Sequence, residues 1–186
     1  MRFSVVLGTR PEIVKMSPIV RELQRRGLDF DLVHTGQHYS FEMDRVFFRD
    51  LELPEPRINL EVGSGTHGAQ TGKMLIGMER FFQERRPDVV LVQGDTNTVL
   101  AGALAAVKLG ITVGHVEAGL RSFDRTMPEE INRVMADHVS DLLFAPTETS
   151  ARNLRAEGLP ERHIFVTGNT IVDAVQENLT IASEKG

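Results

Sequence analysis

The chain is 186 residues long, 41% apolar and 25% charged, with 16 glycines and eight prolines, which is the size and make-up of one folded domain with many short loops and excludes a disordered chain. A formal net charge of −5 excludes the basic footprint of a nucleic-acid or anionic-membrane binder, so any bound phosphate has to be held by local geometry. The lack of cysteine excludes disulfides, zinc-thiolate sites and a thiol nucleophile.

In chain order, the apolar run 3–7 predicts a first strand. It stops at Gly8-Thr9-Arg10, too short for a signal-peptide core or a membrane span, so a cytoplasmic protein is expected. A helix follows over 11–26, with Pro11 where the first turn needs no backbone donor and Gly27 just past the end, where a left-handed cap is wanted. Strand 30–35 and helix 41–50 come next. Residues 51–68, with Pro54, Pro56 and Gly63-Ser64-Gly65, read as a long loop or a short extra strand. Helix 68–86 carries Met74, Met78, Phe81 and Phe82 at core spacing, and strand 89–93 follows it. Helix 98–109 closes on Gly110, and strand 112–116 leads to helix 128–140, opened by Pro128. Strand 142–145, helix 149–157 closed by Gly158, strand 164–167 and helix 171–182 complete the chain. Apolar runs of about five residues suit strands buried on both faces. Their alternation with helices predicts a Rossmann-like, doubly wound parallel sheet occupying residues 1–186 as one domain.

Ligands of such sheets bind beyond the carboxyl ends of the strands. The segments there are Gly8-Thr9-Arg10, Gly36-Gln37-His38, Gly94-Asp95-Thr96, Glu117-Ala118-Gly119-Leu120-Arg121, Pro146-Thr147-Glu148 and Gly168-Asn169-Thr170. In the first, a glycine permits close backbone approach, and Arg10 and Lys15 place positive charge at a helix start where a diphosphate could sit; the alternative is a plain turn with two solvated cations. Neither a dinucleotide fingerprint nor an ATP phosphate loop is present, so NAD and ATP have no support and no cofactor is expected. Asp95 could cap the helix after it, but Thr96 and Asn97 can do that as well, which leaves Asp95 free for chemistry. His115 and Glu117, two apart on a strand, are expected to share a face, with Glu117 emerging at the ligand edge or pairing with Arg121. Two such groups are too few for a metal site, and none is expected. Thr126 and Glu129 match a capping box, and Arg133 and Asp137, four apart on one helix, are placed to pair. His34, His38, His67, His138 and His163 show neither metal nor triad spacing.

Read in order, GTRPE (8–12) with Lys15, TGQH (35–38), PDVVLVQGDT (87–96), VGHVEAGLR (113–121), PEEINR (128–133), APTETS (145–150) and VTGNTIVDA (166–174) resemble the non-hydrolysing UDP-N-acetylglucosamine 2-epimerase family. The resemblance runs from about residue 3 to 175. It implies two Rossmann-like domains facing a cleft, as in GT-B glycosyltransferases, with this chain the amino-terminal one and the carboxyl-terminal nucleotide-binding domain absent from it. It implies Asp95, Glu117 and Glu129 as catalytic carboxylates, Arg10 and Lys15 as contacts to the nucleotide-sugar, and a supporting, substrate-side role for Arg133. The activity implied is C2 epimerisation of UDP-N-acetylglucosamine through elimination and re-addition of UDP, by way of an enzyme-bound 2-acetamidoglucal, in cell-envelope polysaccharide biosynthesis. It further implies a homodimer as the complete enzyme and a need for the missing domain, or a complementary chain, for turnover. A hydrolysing epimerase, a GT-B-like glycosyltransferase and a non-catalytic nucleotide-sugar binding domain are the alternatives.

Overall fold

A computed structural model of the chain describes residues 1–37 and 41–185; His38, in one of the ligand-edge segments, and Gly186 lie outside the described residues. The elements run β1 (Arg2–Leu7), α1 (Arg10–Arg25), β2 (Asp29–His34), α2 (Phe41–Asp50), β3 (Ile58–Asn59), α3 (His67–Arg85), β4 (Val89–Gln93), α4 (Asn97–Lys108), β5 (Thr112–Val116), α5 (Pro128–Val139), β6 (Leu142–Ala145), α6 (Glu148–Ala156), a 3-10 turn (Glu161–His163), β7 (Ile164–Val166) and α7 (Thr170–Lys185). The sheet order is β3-β2-β1-β4-β5-β6-β7 and every neighbouring pair is parallel. This is the doubly wound arrangement, with the winding direction reversing between β1 and β4. Of the two readings of residues 51–68, the short strand is the one that forms: Ile58 lies opposite Val33.

The alternation along each strand divides the core in two. Val5, Leu7, Val89 and Leu91 pack with Ile13, Met16 and Val20 of α1, whereas Val6, Val90 and Val92 pack with Met74, Met78 and Phe82 of α3 and Ala103 of α4. Each buried side chain of this size is worth about 2 kcal/mol, so the two-faced strands, and not the loops, carry the stability that holds the loops in place. The helix α7 returns to the α1 side, where Arg21 bonds Glu177 and Asn178. Burial on both faces does not extend to the far edge: Phe165 and Val166 of β7 are 42% and 50% exposed. Beside them a groove of about 700 Å³ opens onto Phe3, Leu91, Val116, Leu142 and Phe144. The helices of that face pack on one another and on β1 and β4 instead. Among the described residues no helix is long and apolar enough to cross a membrane.

Helix ends fall within a few residues of the expected positions, and Gly27, Gly110 and Gly158 take the left-handed φ values (63°, 69°, 84°) their positions call for. Helix α3 ends differently, on Arg86, which itself takes the left-handed conformation. Gly119 is the most constrained glycine: its φ is +79°, and an added Cβ would stand 2.3 Å from the Ser150 carbonyl oxygen and 2.8 Å from Leu154 Cγ. A backbone oxygen at the start of α6 cannot yield as a flexible side chain would. Gly119→Ala is therefore expected to destabilise the chain by about 3 kcal/mol, read as a lower urea midpoint at unchanged slope.

Candidate functional site

The polar centre lies at the carboxyl ends of β1, β4 and β5, on both sides of the point where the winding reverses. Its first part is the β1–α1 turn. The Glu12 carboxylate is buried there and accepts the backbone N–H groups of Gly8 (2.6 Å) and Thr9 (2.8 Å) and the hydroxyl of Thr96. One side chain thus ties the turn after β1 to the turn after β4. Burial pushes the Glu12 carboxyl up to about 7, against the pull of the Thr96, Gly8 and Thr9 hydrogen bonds. Gly8 does need its hydrogen, but for packing: an added Cβ would lie 2.0 Å from Thr98 Oγ1 and 2.5 Å from Thr35 Oγ1. Thr96 caps α4, accepting the Val99 N–H, so Asp95 is not spent on that end.

Glu117 follows β5 and has a φ of +68°, a left-handed conformation that costs a non-glycine residue on the order of 1 kcal/mol. Its consequence is a change of direction. His115 points to the α5 side of the sheet, where it meets Asp137, whereas Glu117 turns to the α1 side. There both its oxygens accept Lys15 Nζ at 2.9 Å, and Oε2 also accepts the Gln93 side-chain amide. The expectation that His115 and Glu117 share a face is therefore corrected, because strand alternation ends where φ changes sign. The alternative of a Glu117–Arg121 pair does not form: Arg121 pairs with Asp137 (2.7 Å) and Glu157 (2.7 Å).

Asp95 pairs with Arg133 of α5, which reaches Glu130 as well (3.1 Å). Arg133 does not pair with Asp137, whose oxygens are taken by His115, Arg121 and the Gly119 N–H. Asn132 donates to the Asp95 carbonyl (2.9 Å) and to Asn97 (3.2 Å), which fixes the β4–α4 turn against α5. The capping box is absent. The residue before α5 is Met127, with no side-chain cap, and the Thr126 hydroxyl goes to Asp124 instead. Glu129 is exposed in the first turn of α5 and makes no side-chain hydrogen bond or ion pair among the described residues. Its neighbour Glu130 is the buried one, accepting the Ser122 and Phe123 N–H groups at 3.0 and 2.9 Å. On the other flank, Arg10 is held by Asp44 of α2 (3.2 Å) and by the face of Phe47 (5.6 Å).

The geometry thus brings Lys15 to Glu117 and Arg133 to Asp95 on adjacent strand ends. Arg10 stands to one side, at the start of α1 and paired with Asp44 of α2, and Glu129 stays in solvent. Four residues of this network were not singled out from sequence: Glu12, Gln93, Glu130 and Asn132. Two carried a local signal. Thr9-x-x-Glu12 has the capping-box spacing, and Gln93 is the polar end of an otherwise apolar strand. Among the described residues no group of three or more His, Asp or Glu side chains is placed to hold a metal ion.

A family model described as UDP-N-acetylglucosamine 2-epimerase matches residues 21–186. The UDP-N-acetylglucosamine 2-epimerase of Methanocaldococcus jannaschii is 62% identical over 184 residues, which are 99% of this chain and 50% of that protein. The UDP-2,3-diacetamido-2,3-dideoxy-D-glucuronate 2-epimerase of Pseudomonas aeruginosa is 45% identical over 186 residues, 100% of this chain and 52% of that one. The crystal structure of the Methanocaldococcus jannaschii UDP-GlcNAc 2-epimerase in complex with UDP-GlcNAc and UDP aligns with a TM-score of 0.95 at 63% identity, over 98% of this chain and 51% of that chain. The chain spans about half the length of the curated relatives it matches.

The Glu12 strap has a pH signature. Its folded value near 7 stands above the ordinary 4.5, so between those values the folded state holds a proton that the unfolded state has lost, and stability falls as pH rises. Glu12→Gln keeps an acceptor for the amides and a donor for Thr96 while removing the titration. The unmodified chain is expected to lose on the order of 3 kcal/mol between pH 4.5 and 7 relative to this variant, measured as the difference in urea midpoints across that window.

Proposed function

The chain belongs to the UDP-N-acetylglucosamine 2-epimerase family, and on that footing we propose that it is the amino-terminal, proton-handling half of an enzyme interconverting UDP-N-acetylglucosamine and UDP-N-acetylmannosamine. The observation that carries this reading is the convergence of two cation–carboxylate pairs, Lys15–Glu117 and Arg133–Asp95, at neighbouring strand ends beside the reversal of winding.

The C2 proton of a 2-acetamido sugar is barely acidic, because no carbonyl lies next to that carbon within the ring. Expelling UDP from C1 removes the difficulty. The C1–O bond breaks with its electron pair leaving on the diphosphate, positive charge develops on the ring, and C2 gives its proton to a carboxylate. The C2 electron pair closes the C1=C2 double bond of 2-acetamidoglucal. Re-addition returns a proton to the opposite face of C2 while the diphosphate oxygen rejoins C1. Atoms and electrons balance with no external oxidant, which fits a chain without a dinucleotide fingerprint. Carboxylates also stabilise an oxocarbenium-like centre, as in glycosidases.

In this reading Glu117 and Glu129 exchange the C2 proton and Asp95 positions the sugar or relays protons, with Arg133 as its supporting cation. Lys15 and Arg10 meet the nucleotide-sugar. Lys15 donates to Glu117, so in this reading one ammonium serves both the base and the leaving anion. Glu129 is exposed, which suits a group completed only when a cleft closes over it. A second Rossmann-like domain, on the same polypeptide or a complementary chain, supplies the uridine contacts in a GT-B-like arrangement, and the complete enzyme is a cytoplasmic homodimer. The length of the relatives, about twice that of this chain, supports the two-domain part of this reading. The Pseudomonas aeruginosa relative is named for a sugar that differs at C3 and C6. The same C1 and C2 chemistry therefore accommodates other substituents, and the sugar assignment is to the 2-acetamido class first.

The test is deuterium incorporation at C2. The chain, alone and with a complementary carboxyl-terminal half, is incubated with UDP-N-acetylglucosamine in heavy water. Deuterium is expected at C2, with Glu117→Gln lowering the rate by about 10³-fold. Near-normal exchange by that variant removes Glu117 from proton transfer, and no deuterium under either condition overturns the epimerase reading.

A further inference from the structure

His115 lies outside the groups assigned to the substrate, yet its ring meets the Asp95 turn directly, at Gly94, and the Glu117 turn through Asp137, which holds Gly119. His115 is fully buried, with Nδ1 2.6 Å from Asp137 Oδ1 and Nε2 2.8 Å from the Gly94 carbonyl oxygen. A carbonyl oxygen only accepts, so Nε2 must carry a proton. Asp137 also accepts the Gly119 N–H (3.0 Å) and the Arg121 guanidinium (2.7 Å), and as an ionised acceptor it takes a proton-bearing Nδ1 as well. The ring is an imidazolium. Burial works against that charge, but the Asp137 carboxylate and the Gly94 carbonyl outweigh it and raise the histidine above its ordinary 6.5. Burial likewise works against the Asp137 charge, and His115 and Arg121 hold that carboxyl below its ordinary range.

The two ends of this arrangement fall on either side of the chemistry. Gly94 immediately precedes Asp95, and Gly119 is two residues beyond Glu117. Between His115 and Gly119 the chain places Glu117 at its φ of +68°, flanked by the backbone bonds Gly94 N–H to Val116 O (3.1 Å) and Ala118 N–H to Phe144 O (3.1 Å), while the Gly119 N–H donates to Asp137 at the far end. We infer that His115, donating from both ring nitrogens, is a positioning residue that sets the spacing between the Asp95 turn and the Glu117 turn and keeps Glu117 aimed at Lys15. The catalytic consequence of this rests on the epimerase reading; the geometric part does not.

The charged and titratable groups packed around the ring are Asp137 from α5, Arg121 from the turn after β5 and, beyond Arg121, Glu157 at the end of α6, which His138 approaches at 3.8 Å. None offers the ring a second proton acceptor, so its titration is controlled by Asp137. The sign follows from the raised value. The positioning is complete below about 6.5 and is lost as pH climbs through the folded value, when Nδ1 or Nε2 gives up its proton.

Two measurements test this. Long-range ¹H–¹⁵N correlation on the unmodified chain reads the ring directly: both nitrogens are expected at imidazolium shifts at pH 6.5, and a neutral tautomer there overturns the inference. His115→Asn keeps a donor toward Asp137 and loses the one toward Gly94. It is expected to shift the Asp95 and Glu117 amides together and to lower kcat about 10²-fold with KM held within about 3-fold. Shifts confined to β5 and its pairing neighbours, or an unchanged kcat, overturn it. Should that variant fail to fold, the ring measurement decides alone. If the unmodified protein shows no C2 exchange either alone or with the complementary half, the epimerase reading falls while the ring and amide shifts still decide the positioning.

Discussion

Lys15 and Glu117 meet across the seam of the sheet. Lys15 rises from α1, which belongs to the half wound outward from β1, while Glu117 leaves β5 in the half wound the other way. Their contact, two oxygens on one ammonium at 2.9 Å with Glu117 almost wholly buried, is where the two halves exchange charge. It depends on the backbone of Glu117 leaving the strand pattern. Were that residue extended, its side chain would fall on the α5 face with His115, and Lys15 would be left facing Gln93 without a carboxylate. The rest of the site can be described as what permits this one departure: Gly119 tolerating its own left-handed φ against α6, Asp137 gathering the far side of the turn, and Gln93 ending β4 with an amide in place of a methyl group.

The site as it stands is electrostatically closed on itself. Lys15 is with Glu117, Arg133 with Asp95 and Glu130, and Arg10 with Asp44, so the cations suited to a diphosphate are each already matched. Removing one partner of such a pair is costly in proportion to its burial. Each carboxylate and its cation therefore stand as a unit, and a substitution at one is felt at the other. In a chain with a net charge of −5, these pairs gather three cations at one end of the sheet.

The layered architecture was legible in the sequence because it rests on local regularities. Apolar runs of strand length, Pro11 and Pro128 at helix starts and glycines just past helix ends placed most elements within a few residues. The partners of the charged residues were not legible. Lys15 and Glu117 are 102 positions apart, Asp95 and Arg133 38, and rules of adjacent helical turns or alternate strand positions see no further than a few residues. Those rules offered Arg121 to Glu117 and Asp137 to Arg133, and tertiary packing overruled both. The capping box at Thr126 failed for a related reason: Asp124 competes for the hydroxyl at 2.6 Å, and Glu130, not Glu129, closes the loop before α5. Conversely the same motif at Thr9 passed unremarked, although Glu12 there ties two turns together.

The central claim is that the Lys15–Glu117 contact is a structural coupling between the two halves of the sheet and not a passing surface pair. A double-mutant cycle on unfolding free energy, Lys15→Met with Glu117→Gln, measures it directly. The account predicts a coupling of about 2 kcal/mol, as expected for a buried, doubly hydrogen-bonded ion pair. Additivity of the two substitutions to within about 0.5 kcal/mol would contradict it.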